Sequence, residues 1–289
     1  MKKMFSLLMV LAMVCVSAAY AQEASVVPEE KDWSVSLTLK YANKYMTDGF
    51  ILTDGDMLFP DLTVSYKGFF AEIWGAMDLN NKNNQNVDDG TYGNVGKGNF
   101  EEVDFIFGYD YTFKDLAANN SLSIHAQWAY YKYPQRWGAW DADGKFRRAS
   151  DGTTQKISID LTTGLFLNPG VNLDWAYEEK AWMLTFHAEH SQPLAVISEK
   201  LTFDNRAEIL AGNRFANWVT SYVSENGRKG FGSFIWTTSL NYACCDNVSF
   251  GPFAKMIWHL DNCVREGAAI DGNNHKFDTV LGAQISANF

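Results

Sequence analysis

Cysteine, histidine, basic charge and long apolar runs are all in short supply in this 289-residue chain, and each shortage excludes something. Four cysteines and five histidines are few for a protein of this size. One of the cysteines, Cys15, lies in an N-terminal segment expected to be removed, leaving Cys244, Cys245 and Cys263. An odd set with two adjacent members is not a disulfide framework. It is not a zinc site either, because no C-x-x-C or paired-His spacing accompanies it. Lysine and arginine total 24 against 34 aspartates and glutamates. That balance argues against nucleic acid as a partner and against a polybasic membrane-surface anchor. Beyond the N-terminus no stretch supplies the roughly 20 apolar residues of a membrane helix. No G-x-S-x-G nucleophile elbow occurs.

The N-terminus reads as an export signal. Lys2 and Lys3 form its basic start, Met4 to Ala18 its short apolar stretch, and Ala19-Tyr20-Ala21 its small-residue cleavage site. A lipoprotein signal is rejected because Val14, before Cys15, stands where a small residue is needed. The expected layout is a signal peptide over 1–21, a short segment over 22–32, and one domain over 33–289. Aromatic residues make up 15% of the chain, yet its mean hydropathy is slightly negative. A barrel with an apolar outside and a polar lumen reconciles the two.

Alternation is the dominant pattern. Phe277, Thr279, Leu281, Ala283, Ile285, Ala287 and Phe289 fall on one face of a strand, and Lys276, Asp278, Gly282, Gln284, Ser286 and Asn288 on the other, with Val280 the exception. Trp33 to Tyr41 and Val103 to Phe113 split in the same way. The pattern predicts an all-β transmembrane antiparallel barrel of about twelve strands, near 33–45, 57–66, 69–79, 100–113, 120–132, 155–167, 171–177, 181–190, 200–212, 231–243, 247–261 and 275–289. Several are long enough for the roughly 9–11 residues that a tilted strand needs to cross a bilayer. Tight turns at Lys67-Gly68, Asn168-Pro169-Gly170 and Cys244-Cys245-Asp246 broadly alternate with long polar loops at 80–99, 133–154, 213–230 and 262–274. Trp33, Tyr45, Tyr66, Phe69, Trp175 and Trp182 near strand ends suit interfacial girdles. The rival architecture, a soluble β-sandwich, would not need such long strands.

Two stretches carry a family resemblance. Tyr45-Met46-Thr47-Asp48-Gly49-Phe50 leads through Asp54-Gly55 into Pro60-Asp61-Leu62-Thr63-Val64-Ser65-Tyr66. Gly68-Phe69-Phe70-Ala71-Glu72-Ile73-Trp74-Gly75 follows, then Glu102-Val103-Asp104-Phe105 with Gly108-Tyr109, and Tyr131-Lys132-Tyr133-Pro134. Over residues 33 to 134 this resembles the TorF-type family of outer-membrane porins, which implies an outer-membrane barrel and a transport role. The terminal Phe289 resembles the C-terminal signal read by barrel-assembly machinery.

Charges are costly on a lipid face, by about 2–4 kcal/mol for Lys or Arg at the midplane, so a barrel must sort them inward. Alternation places Lys40, Glu72, Glu102, Asp104, Asp110, His125, Asp160, Asp174, His187, Glu189, Arg206, Lys255, His259 and Asp278 in the lumen as candidate channel-lining groups. Lys67 is placed there by the same rule. His187 and His190, three apart on a strand, point to opposite faces and cannot share a metal ion; no metal or cofactor is expected. The Asn-rich run 80–89 lacks the spacing of a calcium loop. Trp137 and Trp140 beside Arg136 suit a membrane rim. The leading expectation is a channel for small hydrophilic solutes, cation-leaning because acids exceed bases inside. Its alternatives are a non-conducting structural or surface-interaction barrel and an outer-membrane lipid hydrolase, for which Ser121, His125, Ser249 and His259 are candidates. The expected partners are outer-membrane lipids and the assembly machinery.

Overall fold

The computed structural model describes residues 32–47, 49–80, 98–114, 121–132, 153–177, 181–212, 230–260 and 276–289. The expected signal segment, most of the expected long loops, Trp137, Trp140 and Cys263 lie outside the described residues. The strands are β1 (Trp33–Ala42), β2 (Tyr45–Thr47), β3 (Phe50–Thr53), β4 (Met57–Tyr66), β5 (Phe69–Asp78), β6 (Phe100–Phe113) and β7 (Leu122–Lys132). They continue as β8 (Thr153–Thr163), β9 (Gly170–Ala176), β10 (Ala181–Pro193), β11 (Leu201–Gly212), β12 (Gly230–Cys245), β13 (Val248–His259) and β14 (Phe277–Asn288).

Twelve of these strands close into one antiparallel barrel, in sequence order around the wall, with β1 sealing against β14. The seam pairs Thr38 with Ser286 and Lys40 with Gln284 on the inner face, and Leu37 with Ala287 on the outer. Alternation therefore decides the seam as it decides each strand: a slip of one residue would expose every inner polar group to lipid. Closure also leaves no unpaired strand edge, which a membrane interior would not tolerate. No helix among the described residues is long and apolar enough to cross a membrane; the crossing elements are strands.

The outer face is predominantly apolar. Leu62, Val64, Ile73, Phe107, Ile159, Leu173, Phe186, Leu240 and Leu281 are exposed along it, far more apolar surface than a soluble monomer shows. One end of the barrel carries the short turns, and there Trp33, Tyr66, Phe69 and Tyr109 stand as consecutive cross-strand partners. The opposite, loop end carries Trp175 paired with Trp182, and Trp258 paired with Phe277. The two aromatic rims bracket the aliphatic band, as in a transmembrane β-barrel. Lys67 and Gly68 have φ of 50° and 87°, the paired positive values of the tight turn that suits strand twist.

Several boundaries differ from the pattern reading. Strand β10 runs on to Pro193, and Cys244 and Cys245 belong to β12, so the turn there falls at Asp246 and Asn247. Lys67 stands in its turn, paired with Asp32 at 3.1 Å, with both side chains more than half exposed. The larger difference is the hairpin β2–β3. The chain leaves the wall after Ala42, makes this hairpin and rejoins at Met57.

Candidate functional site

The hairpin crosses the inside of the barrel at the loop end. On one side Tyr45 packs against Phe59 of β4 and Trp74 of β5, with ring centroids 5.4 and 6.0 Å apart. Its hydroxyl donates to Glu102 of β6 at 2.5 Å, and the Thr53 hydroxyl donates to Glu101 at 2.8 Å. On the other side Gly49 abuts Ser233 of β12 and Leu210 of β11. Between these anchors lies one apolar cluster containing Tyr45, Ile51, Met57, Phe59, Ala76, Leu210, Ile235, Phe253, Ile257 and Val280. Met57 and Ile257 are completely buried. The expected polar lumen is thus corrected at the loop end, where an apolar cluster packs like a protein core around the hairpin. Val280, the exception to alternation on β14, sits in this core.

A polar chain seats the hairpin. Asp278 of β14 lies 3.1 Å from His259 Nε2 on β13. His259 Nδ1 lies 3.3 Å from the Ser233 hydroxyl, which in turn reaches the Gly49 carbonyl at 3.2 Å. Lys44, at the hairpin base, pairs with Asp278 at 3.2 Å and with Asp54 at 3.4 Å. The order Ser-His-Asp resembles a hydrolase triad. Yet a Cβ built on Gly49 would come within 2.8 Å of the Ser233 oxygen, and that oxygen already faces a backbone carbonyl. The position where a nucleophile needs a substrate carbonyl is filled by the protein itself. The other hydrolase candidates do not form such a set: His125 binds Asp110 and Gln127.

Below the seal the lumen is charged. His125 Nδ1 meets Asp110 at 2.6 Å, and its ring stacks on Phe70. His187 Nε2 meets Asp160 at 2.8 Å. Ser158 donates to Asp174 at 2.5 Å, and Lys156 lies 3.7 Å from the same carboxylate. Arg206 is held between Glu189 and Glu208, each at 2.9 Å. Lys40 lies over the Phe253 ring at 4.7 Å. Asp104 is buried beside Glu102, and among the described residues one of its carboxylate oxygens has no hydrogen-bond partner. Glu72 pairs across strands with Thr63, and Lys255 with Thr237. Toward the turn end a cavity of about 340 Å³ opens among Glu189, Ser191, Asp204, Arg206, Thr237 and Ser239. Asp204 is already bound by Ser191 and Asn241.

The residues singled out by sequence thus divide between the hairpin seat, its opposite anchor and separate ion pairs with one another, while Lys40, Glu72, Asp104, Asp174 and Lys255 join none of these. His259 and Asp278 belong to the hairpin seat, and Glu102 to its opposite anchor. Asp110 with His125, Asp160 with His187, and Glu189 with Arg206 form separate pairs. His187 and Glu189, two apart on one face, bind different partners. Tyr45, expected from sequence in the interfacial girdle, instead lies buried inside the barrel, and alternation did not single out Gly49, Thr53, Lys156, Asp204, Glu208 or Ser233. Applied to every inner position, alternation would have found Lys156, Asp204 and Glu208. Asp48-Gly49 between Tyr45 and Ile51 is a hairpin signal that stood in plain view. Among the described residues no group of three His, Cys, Asp or Glu is arranged to hold a metal ion.

The architecture defines the chain's class, a closed transmembrane β-barrel with an occupied lumen. No family model matches the chain, and no curated protein matches it. Among solved structures it is similar to the KdgM porin, with 10% identity over 89% of this chain and 99% of that one, at a TM-score of 0.44. It is similar to the NanC porin, with 11% identity over 88% and 98% of the two chains and a TM-score of 0.44. A third likeness is to the COG4313 outer membrane channel from Pseudomonas putida F1, with 8% identity over 92% and 100% and a TM-score of 0.44.

Proposed function

We propose that this chain is a porin-like barrel of the outer membrane, of TorF type, that passes small hydrophilic solutes passively and uses the β2–β3 hairpin as the stopper of its outer mouth. The observation that carries the reading is the division of the lumen. Its turn-end half is walled by charged and hydroxyl side chains around a cavity, and its loop-end half is closed by a loop rather than by the wall. In this reading the turn end faces the periplasm, the signal segment directs export, and Lys40, Glu72, Glu102, Asp104, Asp110, His125, Asp160, Asp174, His187, Glu189, Arg206, Lys255, His259 and Asp278 line the path. Carboxylates outnumber cations along it, which favours cations.

The apolar character of the seal favours a second reading, a barrel that stays closed and serves the envelope mechanically. Liposome swelling separates the two. Proteoliposomes with wild-type protein and with residues 44–55 replaced by a short Gly-Ser linker are challenged with sugars of increasing size. Influx of small sugars through the replaced form, falling with solute size, supports a stoppered porin. No influx through either folded protein supports the closed barrel and overturns the channel reading.

A further inference from the structure

We propose that the two longer turns at the turn end of the barrel, 164–169 and 194–200, form an apolar foot seated in the lipid leaflet on that side of the membrane. The other described turns at this end are short and polar. Lys67 and Gly68 join β4 to β5, with Lys67 tied to Asp32, and Asp246 and Asn247 join β12 to β13. Between β8 and β9, and between β10 and β11, the chain instead presents Leu165, Phe166, Leu167, Val196 and Ile197. Phe166 is 81% exposed, Ile197 74%, and Val196 wholly so. Large side chains of the lipid-facing wall are better covered, Phe186 at 46% and Leu281 at 54% exposed. The described residues thus leave the tips of both turns bare, and a cluster of bare apolar side chains marks an interaction surface.

The occupant follows from what the foot is continuous with. Glu189 faces the lumen, so His190 beside it faces outward, and the Phe166 ring lies 5.7 Å from the His190 ring. The first turn therefore stands on the lipid side of the wall. Next to it the outer wall runs down through Phe203 paired with Leu240 and Leu201 paired with Tyr242. The Leu201 carbonyl then accepts from Leu194, which opens the second turn. No Asp, Glu, Lys or Arg stands on the outer face of β10 or β11 along this route. The depth agrees. Trp182, in the loop-end rim, and Pro193 are both on β10. At about 3.4 Å per residue and a tilt of about 35–45°, they are about 26–31 Å apart along the barrel axis. The apolar band of such a barrel is about 25 Å tall, so the second turn begins at its boundary, where amphipathic segments lie in a membrane surface. The turns are built for that level. The carbonyls of Leu165, Leu167, Leu194 and Ser198 accept from the N–H groups of Asn168, Glu189, Ile197 and Leu201, which lowers the cost of leaving water. Ser198, Glu199 and Lys200 supply the polar half of the second turn, with Lys200 bound to the Cys244 carbonyl at 3.2 Å. A second copy or another stable protein partner fits less well. Five side chains on two turns fall far short of the roughly 20–30 residues a side of a stable interface.

This inference rests on the outer-membrane reading, and its test tells the failure of one from the failure of the other. Nitroxide labels are placed singly at Phe166→Cys, at Val196→Cys, at Leu281→Cys on the lipid face of β14, and at Lys67→Cys in the short polar turn. Each is made in full-length protein with the native cysteines changed to serine. The proteins are reconstituted in vesicles of phosphatidylethanolamine and phosphatidylglycerol and shown to be folded by heat-modifiable gel mobility. Power-saturation electron paramagnetic resonance then compares collisions with oxygen, which concentrates in the bilayer, and with a nickel chelate, which stays in water. The expected oxygen-to-nickel ratio at Phe166 and Val196 is several-fold above that at Lys67 and approaches that at Leu281. A label at Ala195→Cys should lose its high ratio when Val196→Asp and Ile197→Asp are added; a ratio left unchanged would overturn apolar seating. Ratios at Phe166 and Val196 as low as at Lys67, with a high ratio at Leu281, would overturn the foot and leave the barrel in its membrane. A low ratio at Leu281 as well would overturn the outer-membrane reading together with the foot. Weak collision with both reagents at Phe166 and Val196 would reveal a protein cover, a second copy or another partner, and would overturn the lipid seat.

Discussion

Replacing Gly49 with valine should expel the hairpin without unfolding the barrel, and the size of the effect can be worked from the seat. Gly49 has φ of +81°, a conformation that costs an L-residue about 1–2 kcal/mol. Its new Cβ would lie 2.8 Å from the Ser233 oxygen and 2.9 Å from the Ser233 Cβ, so the close approach that permits the Ser233 contact to the Gly49 carbonyl is lost. That hydrogen bond contributes about 1 kcal/mol. Together these weaken seating by about 2–3 kcal/mol, a factor of roughly 30 to 150 in the open-to-seated ratio. Lys44 gives a direct readout, because in the seated state its ammonium is tied to Asp54 and Asp278 and its side chain is only 22% exposed. Cleavage by trypsin at the Lys44–Tyr45 bond, followed by mass spectrometry, tracks the open population when opening is fast relative to cleavage. The variant should be cut tens of times faster than the wild type while both keep heat-modifiable gel mobility. An unchanged rate in a folded variant would refute the seating geometry.

Two further perturbations test other parts of the account. Leu281→Arg and Gln284→Arg place the same charge on opposite faces of β14; the first should cost about 2–4 kcal/mol of stability in urea unfolding from lipid vesicles, and the second far less. Equal losses would contradict the inside–outside assignment of the seam. Ile257→Ala, at a fully buried position of the loop-end cluster, should cost about 2–5 kcal/mol in the same assay, the expense of a cavity in a packed core. A loss near zero would show that the outer lumen is not a core.

The barrel was legible because lipid outside and polar groups inside force a period of two, and β1, β6 and β14 display it almost without interruption. The twelve wall strands follow from it, with errors of a few residues where alternation fades, as at Cys244 and Pro193. The stopper was not legible by the same rule. Once the hairpin fills the loop end, inner positions such as Phe59, Trp74, Ile257 and Val280 become core positions and turn apolar. Alternation then reports only that both faces are apolar, not that something occupies the centre. The seat was hidden for a different reason. Ser233, His259, Asp278 and Gly49 are far apart in sequence, and only closure of β12, β13 and β14 beside the returning loop brings them into line. Charge pairs such as Asp160 with His187 need the strand register as well as the face, and a sequence reading of faces leaves the register open.

Single-channel recording in planar bilayers tests the central claim most directly, that a water-filled polar lumen is closed by one hairpin. Full-length wild-type protein and the form with residues 44–55 replaced are compared at equal protein density across a salt gradient. The account predicts rare or absent openings for the wild type and discrete, salt-dependent, cation-leaning steps for the replaced form. Silence from the replaced form, shown to be folded by its heat-modifiable mobility, would contradict it.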